Sequence, residues 1–264
     1  MMAASPITLI TDFGNRDGYV GAMKGVIFNI YPQAAIVDIS HEVSPQNIDE
    51  AAFLVMTTYK YFPKGSIHVV VVDPGVGGER RIICASAFDY FFLAPDNGVL
   101  KFIFRKCNSA TVYAVENASY FLPNVSRTFH GRDIFAPVAA HLARGVPIEE
   151  IGSPILDYQT GRLPSLDDRG DEVIGEIIYI DRFGNLISNI PFNKLARFDE
   201  TQITVQIGAT IIHKIVDSYF AGKIGEPIAL IGSAGFLEIA VNSGHAQTKL
   251  RSTIGDEVRV WQDE

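Results

Sequence analysis

Cysteine is almost absent from this chain of 264 residues, with Cys84 and Cys107 the only two. They stand far apart in apolar surroundings and in no CxxC or zinc-like spacing. A disulfide scaffold is thereby excluded, and both are expected to be buried free thiols of a reducing compartment. Basic clusters are missing too. The formal charge of -8 is spread over interleaved acids and bases, whereas a nucleic-acid surface needs Lys and Arg gathered against phosphates. The one dense basic pair is Arg80-Arg81. No long apolar run opens the chain. Met1–Pro6 carries no basic segment, and the strand-like run that follows is about six residues, too short for a signal peptide or a membrane span. The expectation is a soluble cytoplasmic protein with no membrane and no nucleic-acid partner, in which the sequons at Asn117 and Asn124 stay unmodified. Internal repeats and low-complexity tracts are also lacking, and His41, His141, His213 and His245 show no HxxxH spacing for a metal.

What is present points to two domains. With 47% apolar residues the chain can bury two modest cores, at roughly 100–200 residues per domain. The first half alternates strand-like and helix-like segments: strands over 7–11, 35–39, 67–72, 82–87, 90–93 and 111–115, helices over 19–31, 47–61, 98–104 and 134–144. The run 67–72, an Ile, a His and four Val, suits the centre of a parallel sheet buried on both faces. The expected fold is an N-terminal α/β domain over 1–152 with a mainly parallel central sheet. An aperiodic stretch rich in Pro, Gly and Asp over 153–170 reads as a linker. Short strands punctuated by Gly and Asn over 171–264 read as a smaller antiparallel β-barrel-like domain.

Asp12-Phe13-Gly14 closes the first strand, and in open α/β sheets ligands bind at the carboxyl ends of strands. A carboxylate there can accept both hydroxyls of a ribose; a helix cap is the plain alternative. A protein-kinase reading of Asp-Phe-Gly fails for want of a glycine-rich phosphate loop and a His-Arg-Asp loop. Asp73-Pro74-Gly75-Val76-Gly77-Gly78-Glu79-Arg80-Arg81 follows the Val-rich strand. Gly75 and Gly77 fit the first two glycines of a dinucleotide fingerprint, but Arg80 stands where the third is needed, and no Gly-Lys-Ser/Thr completes a Walker loop. What remains is a close-approach loop presenting one carboxylate and one or two guanidiniums, with a structural Asp–Arg bridge as the alternative. Thr128-Phe129-His130-Gly131-Arg132-Asp133 precedes the helix at 134–144, with Asp133 placed to cap it and His130 just ahead of its N-terminus. In the second domain, Asp181-Arg182-Phe183-Gly184-Asn185 forms a turn that can present a flat ring and an amide. Glu238, inside the apolar alternation of Ser233–Asn242, needs a polar partner, and an adenine amino group would be one.

Taken together, Leu9-Ile10-Thr11-Asp12-Phe13-Gly14, Val72-Asp73-Pro74-Gly75-Val76-Gly77, Ala94-Pro95-Asp96-Asn97-Gly98, Phe129-His130-Gly131-Arg132-Asp133 and Phe183-Gly184-Asn185 resemble the S-adenosylmethionine hydroxide adenosyltransferases. These are hydrolase relatives of the S-adenosylmethionine-dependent fluorinase and chlorinase, and the resemblance runs from Thr8 to Val260. It implies a homotrimer with sites where the N-terminal domain of one subunit meets the C-terminal domain of the next. It implies S-adenosyl-L-methionine as substrate, with no cofactor and no metal, and adenosine and L-methionine as products. By motif, Asp12 would hold the ribose hydroxyls and Asp17 would lie near the methionine portion. Phe183 and Asn185 would contact adenine, with Ser233, Glu238 and the backbone around Val241 completing that pocket and Asn189 also nearby. Asp73, Arg80 and His130 match the hydrolase cluster, whereas the halogenases carry Tyr in place of Asp73 and a Tyr-Ser pair in place of His130-Gly131. Gly131 has no hydroxyl for a halide, so the resemblance favours water as nucleophile.

The implied chemistry is in-line attack of that water on the ribose C5′, with methionine leaving from the sulfonium. Arg80 is assigned to lowering the pKa of the water, and His130 with Asp73 to orienting it and taking its proton. Two other functions use the same residues: halogenation of the same substrate, and nucleoside binding with only slow hydrolysis.

Overall fold

The computed structural model describes residues 5–199 and 202–262. It contains two compact units that divide between Arg162 and Leu163.

The first unit runs β1 (Ile7–Thr11), α1 (Tyr19–Ile30), β2 (Ile36–Ser40), α2 (Ile48–Thr58), β3 (Ile67–Val71), β4 (Ile82–Ala87), β5 (Tyr90–Pro95), α3 (Lys101–Lys106), β6 (Thr111–Ala114), α4 (Ala136–Ala143) and β7 (Pro154–Ile155). Its sheet has the order β2-β1-β3-β5-β4-β6-β7. The leading four strands are parallel, and the hairpin β4–β5 with β6 and β7 continues the sheet antiparallel. Helices cover both faces, which is why β3 is apolar at every position but one. Ile67, Val69 and Val71 face a core with Met23 and Ile27 of α1 and Val138 of α4. Val70 and Val72 face the opposite core with Ala51 and Val55 of α2 and Ile103 of α3. Each of these buried Val, Ile and Met side chains contributes about 1.5–3 kcal/mol of transfer free energy.

The expected helix at 134–144 is in fact two segments. A wide turn over Gly131–Phe135, with the Ala136 N–H bonded to the Gly131 carbonyl five residues back, leads into α4. Pro137 explains the widening. It has no N–H to give the Asp133 carbonyl, and that carbonyl accepts instead from Leu122 N at 2.9 Å. Asp133 is therefore not the helix cap. Its side chain is wholly buried, paired with Arg132 at 2.6 Å and accepting from Ser126 N at 2.8 Å. The thiols also divide, Cys84 being buried and Cys107 only half-buried.

The second unit holds β8 (Asp167–Asp168), β9 (Glu172–Ile180), β10 (Leu186–Pro191), α5 (Phe192–Leu195), β11 (Ile203–Ile207), β12 (Thr210–His213), β13 (Ile215–Val216), β14 (Pro227–Ile231), β15 (Phe236–Val241), α6 (Ala246–Leu250) and β16 (Glu257–Gln262). The strands follow the path β12-β11-β16-β9-β10-β15-β14-β13, antiparallel except for β13 with β14. The path curls until β12 approaches β14, the nearly closed barrel that short alternating strands imply. Val173, Leu186, Val205, Leu237, Ile239 and Val258 fill it. Among the described residues, no helix is long and apolar enough to cross a membrane.

Candidate active site

Parallel pairing of β1 with β3 sets Thr11 beside Val71, so Asp12, one residue on, and Asp73, two residues on, emerge on the same sheet edge. A cavity of about 370 Å³ opens there, and its walls include Asp12, Phe13, Asp73, Val76, Phe129 and His130. Asp12 Oδ2 accepts from Gln46 N at 2.8 Å. Gln46 has φ of 65°, a left-handed conformation that costs a non-glycine residue energy, and the Asp12 carboxylate helps to hold it. Behind Asp12, the Thr11 hydroxyl meets His41 Nδ1 at 2.9 Å, His41 Nε2 lies 3.0 Å from Asp38, and the His41 carbonyl accepts from Gly14 N at 2.7 Å. His41, which has no sequence spacing to mark it, thus fastens the Asp12 loop through a partner 30 residues away.

Asp73, Arg80 and His130 do converge. Arg80 Nε donates to Asp73 Oδ1 and Oδ2 at 3.0 and 2.9 Å, and its Nη2 reaches both Asp73 Oδ2 and His130 Nδ1, the latter at 2.8 Å. A guanidinium has donors only, so His130 Nδ1 must be the acceptor and the neutral ring carries its proton on Nε2. Burial lowers the His130 pKa below its ordinary 6.5, and the Arg80 charge lowers it further. Asp73 and His130 are among the residues that line the cavity, and Arg80, its side chain 12% exposed, bonds both of them.

Gly77 permits this convergence. Its φ is 75°, and a Cβ there would run into the Arg127 carbonyl, in the segment leading to His130. Gly77→Ala is expected to push the 73–80 loop away from the His130 loop, lowering kcat about 10-fold to 100-fold, the usual cost of a misplacement near 1 Å. Steady-state kinetics on a variant with unchanged far-ultraviolet circular dichroism measures this. Gly131 is also crowded: a Cβ would stand 3.3 Å from Met23 Sδ and 3.3 to 3.4 Å from the rings of Phe129 and Phe13. Asp17 is exposed in the loop before α1 and is not part of the cavity wall.

The second unit carries the other expected residues. Asp181 Oδ1 accepts from the backbone of Phe183 and Asn185, both at 2.9 Å, and its Oδ2 accepts from Asn185 Nδ2 at 3.0 Å. The Phe183 ring stands 74% exposed, offered by a fixed turn. The polar partner expected for Glu238 is supplied at Oε1 by Tyr219, which donates to it at 2.6 Å. Burial raises the Glu238 pKa, and the Asp181 charge adds to that. Ser233 is exposed and Val241 buried. The Asn189 amide is consumed by backbone, Oδ1 accepting from Glu176 N at 2.8 Å and Nδ2 donating to Ser165 O at 2.6 Å. It pins β10 to its neighbours and keeps one N–H and one oxygen lone pair beyond these two bonds.

An α/β unit with a carboxylate–guanidinium–imidazole cluster at its strand ends, followed by a small β-barrel unit, defines a two-domain enzyme class acting on a polar small molecule. The chain belongs to the SAM hydroxide adenosyltransferase family, whose N-terminal domain matches residues 7–152 and whose C-terminal domain matches residues 175–259. An (R)-S-adenosyl-L-methionine hydrolase of Methanocaldococcus jannaschii is 37% identical over 96% of this chain and 95% of its own length. A Thermus thermophilus protein of the same name is 34% identical over 97% and 99%. A fluorinase of Actinoplanes sp. is more distant, at 27% identity over 90% and 91%. The crystal structure of an uncharacterized conserved protein from Thermotoga maritima matches with a TM-score of 0.91 and 39% identity, over 97% of this chain and 100% of that one.

Proposed function

We propose that this protein hydrolyses S-adenosyl-L-methionine at the ribose C5′, releasing adenosine, L-methionine and a proton. By the names of its relatives, the substrate is the (R) sulfonium epimer. The observation that carries the reading is the Asp73–Arg80–His130 cluster on a cavity that also holds Asp12, with Gly131 where a halide-binding hydroxyl would stand. Asp12 binds the ribose through the oxygen that Gln46 leaves open.

The sulfonium makes methionine a good leaving group, so the protein's task is to place one water in line with C5′ and accept one proton. His130, neutral and protonated on Nε2, is a donor and orients the water through its oxygen. Asp73 is then the acceptor. As the C–O bond forms, the attacking oxygen takes on positive charge and becomes strongly acidic, so even a carboxylate shared with Arg80 is basic enough. Arg80 is a positioning residue that fixes the tautomer of one partner and the orientation of the other. The reading includes a cytoplasmic homotrimer in which Phe183, Asn185, Ser233, Glu238 and Val241 of a neighbouring subunit complete the adenine side, with Asp17 near the methionine.

Turnover in oxygen-18 water is the test. Label is expected at O5′ of adenosine, read by mass spectrometry, and no 5′-chloro-5′-deoxyadenosine is expected in added chloride. Chlorinated product would make the protein a halogenase, and adenosine binding without single-turnover release would make it a nucleoside-binding protein.

A further inference from the structure

The sequence from Ala94 to Gly98 is a family-like motif that the proposed chemistry does not use. Asp96 and Asn97 are not among the residues that line the cavity, yet both are engaged at every polar end of their side chains. Their partners explain why. The loop from Asp73 to Arg80 contains Gly75, Gly77 and Gly78, and glycine leaves a loop conformationally loose. Within it only short turn bonds hold the backbone, Val76 N to Asp73 O at 3.2 Å and Gly78 N to Gly75 O at 3.0 Å. Its two ends are joined to each other by the Arg80–Asp73 pair and are also held from outside.

At the first end, Asn97 Nδ2 donates to the Val72 carbonyl at 3.0 Å, gripping the peptide that enters Asp73. At the second, Asp96 N donates to the Arg81 carbonyl at 2.9 Å, and Asp96 Oδ2 accepts from Arg81 Nε and Nη2 at 3.2 and 3.0 Å. Two adjacent residues at the end of β5 thereby hold both ends of the loop. The Asp96 side chain is only 4% exposed, and its other oxygen accepts from Gln159 N at 2.7 Å, so the clamp is itself anchored. The neighbouring guanidiniums diverge: Arg80 enters the site, while Arg81 serves the clamp and also binds Asp157 at 2.9 Å.

We propose that Asp96 and Asn97 are positioning residues for the reaction, a two-point clamp that sets the distance between the Asp73 and Arg80 ends of the loop and so the geometry of the Asp73–Arg80–His130 cluster. The inference rests on the proposed hydrolysis for its kinetic consequence and on hydrogen-bond geometry alone for its structural one. Asn97 also accepts from Val99 N at 3.2 Å through Oδ1, a local turn bond that Asp could equally make. Asn97→Asp keeps that turn and replaces the donor to Val72 by a carboxylate oxygen that repels its carbonyl, whereas Asn97→Ala removes both bonds and adds no charge.

The test compares the full-length parent, Asn97→Asp, Asn97→Ala and Arg81→Gln, measuring kcat and KM for S-adenosyl-L-methionine, adenosine affinity, and amide exchange over residues 73–80. Asn97→Asp is expected to lower kcat about 10-fold to 100-fold while KM and adenosine affinity stay within about threefold, the mark of a lost transition-state arrangement. Exchange at 73–80 should quicken, with the second unit unchanged. Asn97→Ala should do no worse than Asn97→Asp. Parent-like kcat and exchange in Asn97→Asp, or kcat and adenosine affinity falling together, would overturn the clamp. Should Asn97→Asp fail to fold, Arg81→Gln carries the same expectation from the other end, and parent-like turnover there overturns it. If the parent itself releases no adenosine, the hydrolase reading fails, and the exchange data still judge the clamp.

Discussion

Arg80→Met is expected to lower kcat for S-adenosyl-L-methionine about 10²-fold to 10⁴-fold, the range for losing positioned acid–base function, while adenosine affinity changes little. The guanidinium bonds Asp73 and His130, which both line the cavity, so its loss acts through two neighbours. His130 Nδ1 loses the donor that fixes its tautomer, and Asp73 loses its partner. The variant also strands a carboxylate that is 5% exposed, costing up to about 3 kcal/mol of stability. The double variant Asp73→Asn/Arg80→Met removes that stranded charge, so its melting temperature should recover while turnover does not. Recovery of both would reduce the cluster to a structural ion pair. A pH signature accompanies the loss. Burial first, and then the Arg80 charge, hold the His130 pKa below 6.5. Removing the charge should move the acid limb of kcat/KM to higher pH, whereas a purely structural defect would leave the limb in place. Asp12→Ala should raise KM, and His130→Ala should lower kcat about as far as Arg80→Met, because residues that act as one unit do not lose activity additively.

The parts of this site that the sequence made legible are those written in local pattern. Apolar runs at 7–11 and 67–72 mark β1 and β3, and charged glycine-containing loops directly after them mark the sheet edge where ligands bind. That marks Asp12 and Asp73 as neighbours, whereas His130, in a loop remote in sequence, is joined to them only by the family resemblance. The details that escaped are set by pairs far apart in the chain. Nothing near Glu238 announces Tyr219 as its partner, and nothing near Asn189 announces that Ser165 and Glu176 absorb its amide. Apart from the family motif that singles out Arg80, Arg80 and Arg81 are alike as text, and the structure pairs Arg80 with Asp73 and Arg81 with Asp96 just beyond β5. Asp133 had every local property of a helix cap. What moved it was Pro137, whose missing N–H widened the turn and turned the carboxylate inward to Arg132 and Ser126.

Acid is expected to destabilise the first unit through His68, with a loss of about 3 kcal/mol from this group between neutral pH and pH 4. His68 sits in β3 and is 1% exposed, ringed by Tyr59, Phe62, Tyr90 and Phe92. Its Nδ1 bonds the Thr8 hydroxyl at 2.8 Å, while Nε2 has no hydrogen-bond partner among the described residues. Burial lowers its pKa from 6.5 to about 4. The folded form therefore resists a proton that the unfolded chain accepts. The stability held by a neutral His68 is complete above pH 6.5, declines at up to about 1.4 kcal/mol per pH unit as pH falls towards 4, and levels off below. The double variant Thr8→Val/His68→Val removes the titrating ring together with its hydroxyl partner and leaves β-branched residues suited to a central strand. Urea unfolding at pH 7 and at pH 4.5, at one protein concentration, should show the parent losing about 2 kcal/mol more than this variant. Circular dichroism is the proper probe, because Trp261, the one tryptophan of the chain, lies in β16 of the second unit and reports on the wrong one. Equal acid losses in parent and variant would mean that His68 is protonated at little cost in the folded state, and that the aromatic ring around it admits water.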